Sequence, residues 1–179
     1  DDQQTAQNDE DSPKQGVSID DLRSLGLNID FELIEQFISS NNSSDLIHYL
    51  HENCDNETTS QVFNFIIEKV PDMYPSLCEE GILLKNAVAY HKAALSLMCF
   101  TKEKEEEEKK ESYKRAKFYL EESIRQGFDL SYFSLARLLY SVYGKYNSAF
   151  NMAKEGARKG EKYSKCLLGY FFVHGIGTK

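Results

Sequence analysis

Through most of the chain, hydrophobic residues recur at intervals of three and four, broken by short polar clusters. This is the spacing of one helical face; a half-buried strand would alternate apolar and polar. Ser18 with Asp20 and Asp21 reads as a helix start, with Leu22, Leu25 and Leu27 as its apolar content. Phe31–Ser39 predicts a helix capped by Asp30. After a loop at 40–43, Ser44 or Asp45 opens a helix to about Glu52, with Leu46, Ile47, Leu50 and Cys54 turned inward. Thr58 or Thr59 opens another, carrying Val62, Phe63, Phe65, Ile66 and Ile67. Pro71 ends it, because the residue before a proline is pushed out of helical geometry. Tyr74–Gly81 shows no clear period. From Ile82 a long helix is expected to about Phe100, with Leu84, Ala87, Ala89, Ala93, Ala94, Leu97 and Met98, and with Ala94-Leu95-Ser96 as a small-residue contact. The charged run at 102–111 reads as a solvated helical extension, laced by i,i+4 pairs such as Glu105–Lys109 and Glu106–Lys110.

The last third repeats itself. Residues 113–145 overlay 146–179 when Gly127 is set on Gly160, an offset of 33 residues. Ala116 then meets Ala149, Leu120 meets Ala153, and Ser123-Ile124 meets Gly156-Ala157. Leu135-Ala136 meets Leu168-Gly169, Leu139 meets Phe172, and Gly144 meets Gly177. Each copy predicts two helices separated by a glycine that takes the left-handed conformation after a helix end. Small residues at matching places let helix backbones approach closely. A fixed period of this length marks a stacked helical array.

The second copy, with Ala149, Gly156-Ala157, Gly160, Leu168-Gly169, Phe171-Phe172 and Gly175-Ile176-Gly177, resembles the Sel-1-like repeat, a relative of the tetratricopeptide repeat. The first copy departs from that pattern: Ala136 stands in place of the Leu-Gly glycine, and Val142 where Gly175 would fall. The resemblance implies an all-α fold. In it, antiparallel helix-turn-helix repeats stack as a right-handed α-solenoid, here behind an N-terminal helical region at 17–100 that is a cap or a set of degenerate repeats. It also implies that the array continues beyond Lys179, with the face of Phe171 and Phe172 otherwise uncovered.

Composition adds three constraints. Residues 1–16 are polar and acidic, without an aromatic, and cannot bury enough surface to order, so a disordered tail is expected. Residues 1–100 carry five basic and 18 acidic side chains, and 101–179 carry 16 and 11. The basic half brings no aromatic platform and no nucleic-acid motif, so no nucleic-acid partner is expected. No apolar run is long enough to insert in a membrane. Cys54, Cys78, Cys99 and Cys166 form no CxxC pair, and Cys99 and Cys166 lie in apolar stretches. Reduced thiols and a cytoplasmic setting are expected.

Candidate chemistry is sparse. His48, His51 and Cys54 suggest a metal site, but at about 100° per residue they cannot converge from one helix, so no metal is expected. His91 and His174 stand alone, as surface or capping groups. No phosphate loop, nucleophile elbow or dinucleotide fingerprint is present, and no cofactor or catalytic residue is expected. Besides a purely structural spacer within a larger chain, two functions are compatible with this chain. One, implied by the resemblance, is a non-enzymatic adaptor that assembles protein complexes in signalling or quality control. Its groove for a protein or peptide partner would be lined by Lys114, Lys117, Glu121, Asn151 and Lys154. The other is a piece of an enzyme, either a cysteine-rich hydrolase relative or a chain whose catalytic domain lies outside these residues. The cysteines do not occupy matching positions in the two copies, which weighs against a hydrolase.

Overall fold

The computed structural model describes residues 18–101 and 104–177. The expected acidic tail lies outside the described residues, as do Lys102 and Glu103 of the charged run. The described chain is all helical: α1 (Asp20–Arg23), α2 (Phe31–Ser39), α3 (Ser43–Asn53), α4 (Asn56–Lys69), a 3₁₀ turn (Pro71–Met73), α5 (Tyr74–Leu83), α6 (Ala87–Cys99), α7 (Glu106–Arg125), α8 (Leu130–Ser141), α9 (Tyr146–Arg158) and α10 (Lys162–Val173).

Local chemistry accounts for most boundaries. Asp30 caps α2 by accepting from the Leu33 amide at 3.0 Å. Asn42, not Ser44 or Asp45, caps α3 through the Asp45 amide at 3.1 Å. Asp55, not a threonine, caps α4 through the Thr58 amide at 2.7 Å, and these bonds hold its carboxyl below the usual range. In both cases an Asn or Asp just upstream offered a better acceptor than the hydroxyl or acid expected from the pattern.

The long helix expected over Ile82–Phe100 is two helices. Tyr74–Gly81 supplies most of α5, and the chain reverses at Lys85, whose φ is 56°. The Asn86 side chain then accepts from the Val88 and Ala89 amides, starting α6. No glycine or proline announces this turn. The small-residue contact lies at Gly81, not at Ala94-Leu95-Ser96: a Cβ on Gly81 would strike Ala89 Cβ on α6. The charged run is an extension of the first repeat helix as expected from Glu106 on, so the expected boundary at 113 falls inside α7. That helix is continuous from Glu106, its first turns joined by i,i+3 pairs, Lys109–Glu106 at 2.8 Å and Lys110–Glu107 at 2.6 Å.

Three hairpins now share one construction. In α5–α6, α7–α8 and α9–α10, a small residue on the first helix (Gly81, Ser123, Gly156) faces one eight positions later on the second (Ala89, Ser131, Ser164). Four residues after each first position the backbone turns left-handed, at Lys85, Gly127 and Gly160. Each turn closes with the same pair of bonds. Asn86, Phe128 and Glu161 amides donate to Gly81, Ser123 and Gly156 carbonyls at 2.8, 3.1 and 3.0 Å. Lys85, Gly127 and Gly160 amides donate to Ile82, Ile124 and Ala157 carbonyls. This is the helix-ending arrangement that a left-handed residue permits.

Successive helices pack in order, α6 on α7, α7 on α8, α8 on α9 and α9 on α10. Two cores result. The first gathers Leu22, Ile34, Ile47, Leu50, Phe63, Ile66, Leu77 and Val88, and the second Ala94, Ala116, Leu120, Ala136, Leu138, Ala149, Ala153 and Phe171. Helix α6 contributes to both.

Candidate functional site

The five expected groove residues sit on the first helices of the last two hairpins. Lys114, Lys117 and Glu121 lie on α7, opposite or beside its buried stripe of Ser112, Ala116, Leu120 and Ser123. Asn151 and Lys154 lie on α9, away from buried Ala149, Ala153 and Gly156. Within α7, Lys117 Nζ is 2.6 Å from Glu121 Oε1, and Lys114 Nζ is 3.5 Å from Glu111. Among the described residues no hydrogen bond or ion pair joins the α7 set to the α9 set. Lys114, Asn151 and Lys154 are exposed, whereas Lys117 and Glu121 are half-buried; Glu121 and Lys154 hold equivalent positions with opposite charge.

The histidines separate. His48 Nδ1 lies 2.8 Å from the Ser44 carbonyl on its own helix, and His51 is exposed. Cys54 ends α3 in extended geometry, half-buried. Among the described residues no group of three His, Cys, Asp or Glu side chains stands close enough to hold a metal ion. His174 is an exposed capping group, 3.0 Å from the Tyr170 carbonyl. His91 corrects the expectation of a surface role: it is 1% exposed, packed edge-on against Phe128 at 5.1 Å.

His91 begins a buried polar chain across three helices. Its Nδ1 is 2.8 Å from Ser131 Oγ on α8, which is 2.7 Å from Ser123 Oγ on α7, which donates to the Ala87 carbonyl of α6 at 2.6 Å. The proton directions follow by elimination. A carbonyl only accepts, so Ser123 gives its proton to Ala87. Ser131 must then donate to Ser123, and His91 must donate to Ser131 from a protonated Nδ1. Burial, followed by the neighbouring Lys92 charge, lowers the His91 pKa to about 3, so the ring is neutral. The pairing of serine and histidine looks nucleophilic, but both serines are fully buried. What the chain does is fix the crossing of α6, α7 and α8.

A second polar cluster was not legible as such. Lys92, 7% exposed, donates to Asn64 Oδ1 at 2.5 Å, and burial lowers its pKa. The Tyr74 hydroxyl donates to the Lys92 carbonyl at 2.9 Å and accepts from Ser96. Burial pushes Tyr74 up, and pushes the nearby Cys78 thiol to about 11, making it a poor nucleophile at neutral pH. Asn64 opens onto a shallow 420 Å³ depression between α1 and α4, edged by Asp21, Glu57 and Glu68.

The remaining feature is the outer face of α10. Phe171 is buried, against expectation, while Phe172 is 60% and Val173 82% exposed. Cys166 and Gly169 share that exposed side, and Cys99 is exposed too, so both apolar-stretch cysteines lie at the surface rather than in the core. A Cβ on Gly169 would meet nothing within 4 Å. No described helix is long and apolar enough to cross a membrane. Family models, curated proteins and solved structures give no match to this chain.

Proposed function

We propose that this chain is a protein-interaction scaffold built of Sel-1-like helical repeats, an adaptor rather than a catalyst. The observation that supports it best is the common construction of the three hairpins at 81/89, 123/131 and 156/164. Hairpins joined end to end by the same close crossing stack as a one-dimensional array, and such arrays present a continuous row of first-helix side chains to a partner. On this reading, the strips of Lys114, Lys117 and Glu121 on α7 and of Asn151 and Lys154 on α9 form the groove. The free thiols Cys54, Cys78, Cys99 and Cys166 suit a reducing compartment, so the scaffold acts in the cytoplasm.

Affinity capture from native cell extract, followed by mass spectrometry, tests this reading. The control bait carries Lys114→Glu, Lys117→Glu and Lys154→Glu, and circular dichroism confirms that it is folded. A protein held by the parent chain and released by the folded control is the expected result. Equal recovery by both baits would remove the groove from the α7 and α9 strips.

A further inference from the structure

Helix α8 shows what covers such a helix in this fold. Its face of Tyr132, Ala136 and Leu139 is buried beneath α9, and a Cβ on Gly156 of α9 would stand 2.7 Å from Tyr132 Cβ. Lys159, just past the end of α9, closes the seam. Its Nζ lies 3.4 Å from Asp129 Oδ1 and 5.8 Å from the centre of the Tyr132 ring.

The offset of 33 residues carries that face onto Lys165, Gly169 and Phe172 of α10, with Lys162 in the place of Asp129. All four are exposed. A glycine inside a helix costs about 1 kcal/mol relative to alanine. Gly81 and Gly156 each admit a neighbouring helix, whereas among the described residues nothing comes within 4 Å of a Cβ on Gly169. Charge specifies what would fit. Helix α10 has two lysines and no acidic residue within it. Where α9 brings a lysine to Asp129, a helix seated the same way on α10 meets Lys162 and Lys165.

We propose that this face docks an α-helix of another protein, seated on α10 as α9 is seated on α8. That helix carries small residues at i, i+4 and i+7, like Ala149, Ala153 and Gly156, and an Asp or Glu at i+10, where α9 has Lys159. The assignment rests on the scaffold reading and names one class of partner for it. A second copy of this chain is a poor occupant, since its own α9 would bring Lys159 against Lys162.

The test is fluorescence anisotropy with two labelled, end-capped peptides of residues 146–159, the parent sequence and its Lys159→Glu form, titrated with the whole chain. The Lys159→Glu peptide should bind saturably and about tenfold more tightly than the parent, from one gained and one relieved charge contact. Gly169→Leu should abolish binding while leaving helicity and the unfolding midpoint at or above those of the parent. The pair Lys162→Glu with Lys165→Glu should reverse the peptide preference. Absence of saturable binding by either peptide, equal affinity for both, or binding indifferent to Gly169→Leu would overturn the proposal. Concentration-dependent dimerisation in sedimentation, abolished by Gly169→Leu, would assign the face to a second copy and overturn it as well. Failure here with the lysine-reversal control still releasing its partner removes this inference alone; failure of both removes the scaffold reading.

Discussion

The hairpins α7–α8 and α9–α10 cross at the same position and resolve it with different chemistry. At the first crossing, Ser123 and Ser131 meet through hydroxyls and draw in His91, so three helices are held by directed bonds. At the second, Gly156 removes the side chain altogether and the backbones close. Ser164, the counterpart of Ser131, is a buried hydroxyl with no hydrogen-bond partner among the described residues. One crossing is specified by hydrogen bonds and the other by contact. The outer faces differ in the same sense: α8 is covered by α9, while among the described residues nothing covers the matching face of α10. On the proposed scaffold reading, the covered face belongs to the fold and the open one to a partner.

The largest expected effect is at Gly156. A methyl there must displace Tyr132 Cβ and Ser164 Cβ, which stand 2.7 and 2.8 Å from it and belong to helices on both sides. Gly156→Ala should cost about 1–3 kcal/mol, an overpacking penalty read from urea unfolding. A neutral result would show that the second crossing is loose and would erase the contrast.

Next comes His91. Phenylalanine at this position keeps a ring against Phe128 but can neither donate to Ser131 nor titrate. His91→Phe should cost about 1–3 kcal/mol at pH 7, from the broken buried hydrogen bond. The pH dependence has a definite sign. The folded pKa of about 3 lies below the ordinary histidine value of about 6.5, so the unfolded state binds the proton more readily. The contribution of His91 is fully present above pH 6.5 and is lost as pH falls from there towards 3. The slope is about 1.4 kcal/mol per pH unit. Unfolding at pH 7 and pH 5 should show His91→Phe losing less on acidification than the parent chain does.

The open face predicts a gain. Gly169→Ala adds a methyl into empty space and should stabilise by about 1 kcal/mol through helix propensity. Ala136→Gly at the covered counterpart should destabilise by at least that amount. Smallest is the orphan hydroxyl: Ser164→Ala should be neutral or slightly stabilising, whereas Ser131→Ala should cost about 1–2 kcal/mol by breaking the chain to His91. Thermal midpoints of the four variants check both pairs.

Much of the helical framework is visible in the amino-acid sequence, because a buried stripe such as Ser112-Ala116-Leu120-Ser123 repeats with the helical period. The overlay of Gly127 on Gly160 also placed Ser123 opposite Gly156, the position at which the last two hairpins cross. The earliest hairpin was hidden for a physical reason. Its reversal depends on Lys85 in a left-handed conformation and on Asn86 as a cap, and neither residue type punctuates a helix as strongly as glycine. Nine extra positions, seven of them at the start of α7 and two in the connection before it, also spoil the period, since 81 to 123 spans 42 positions and 123 to 156 only 33. His91 and Lys92 escaped because pattern reading assigns charged and titratable groups to solvent. Their burial is set by Ser131 and Asn64, 40 and 28 residues away in sequence. Of the residues expected to be exposed, Lys114, Asn151 and Lys154 are, while Lys117 and Glu121 are half-buried; the face of α10 needed the covered example of α8 before its openness carried information.

Thiol labelling tests the contrast of faces most directly. Ala136→Cys and Gly169→Cys are each treated with a maleimide in the isolated, monomeric chain, and the modified position is located by peptide mapping. The cysteine at 169 should react at the rate of a free thiol, and the one at 136 only as fast as the chain unfolds. Equal rates, or protection at 169, would contradict the account.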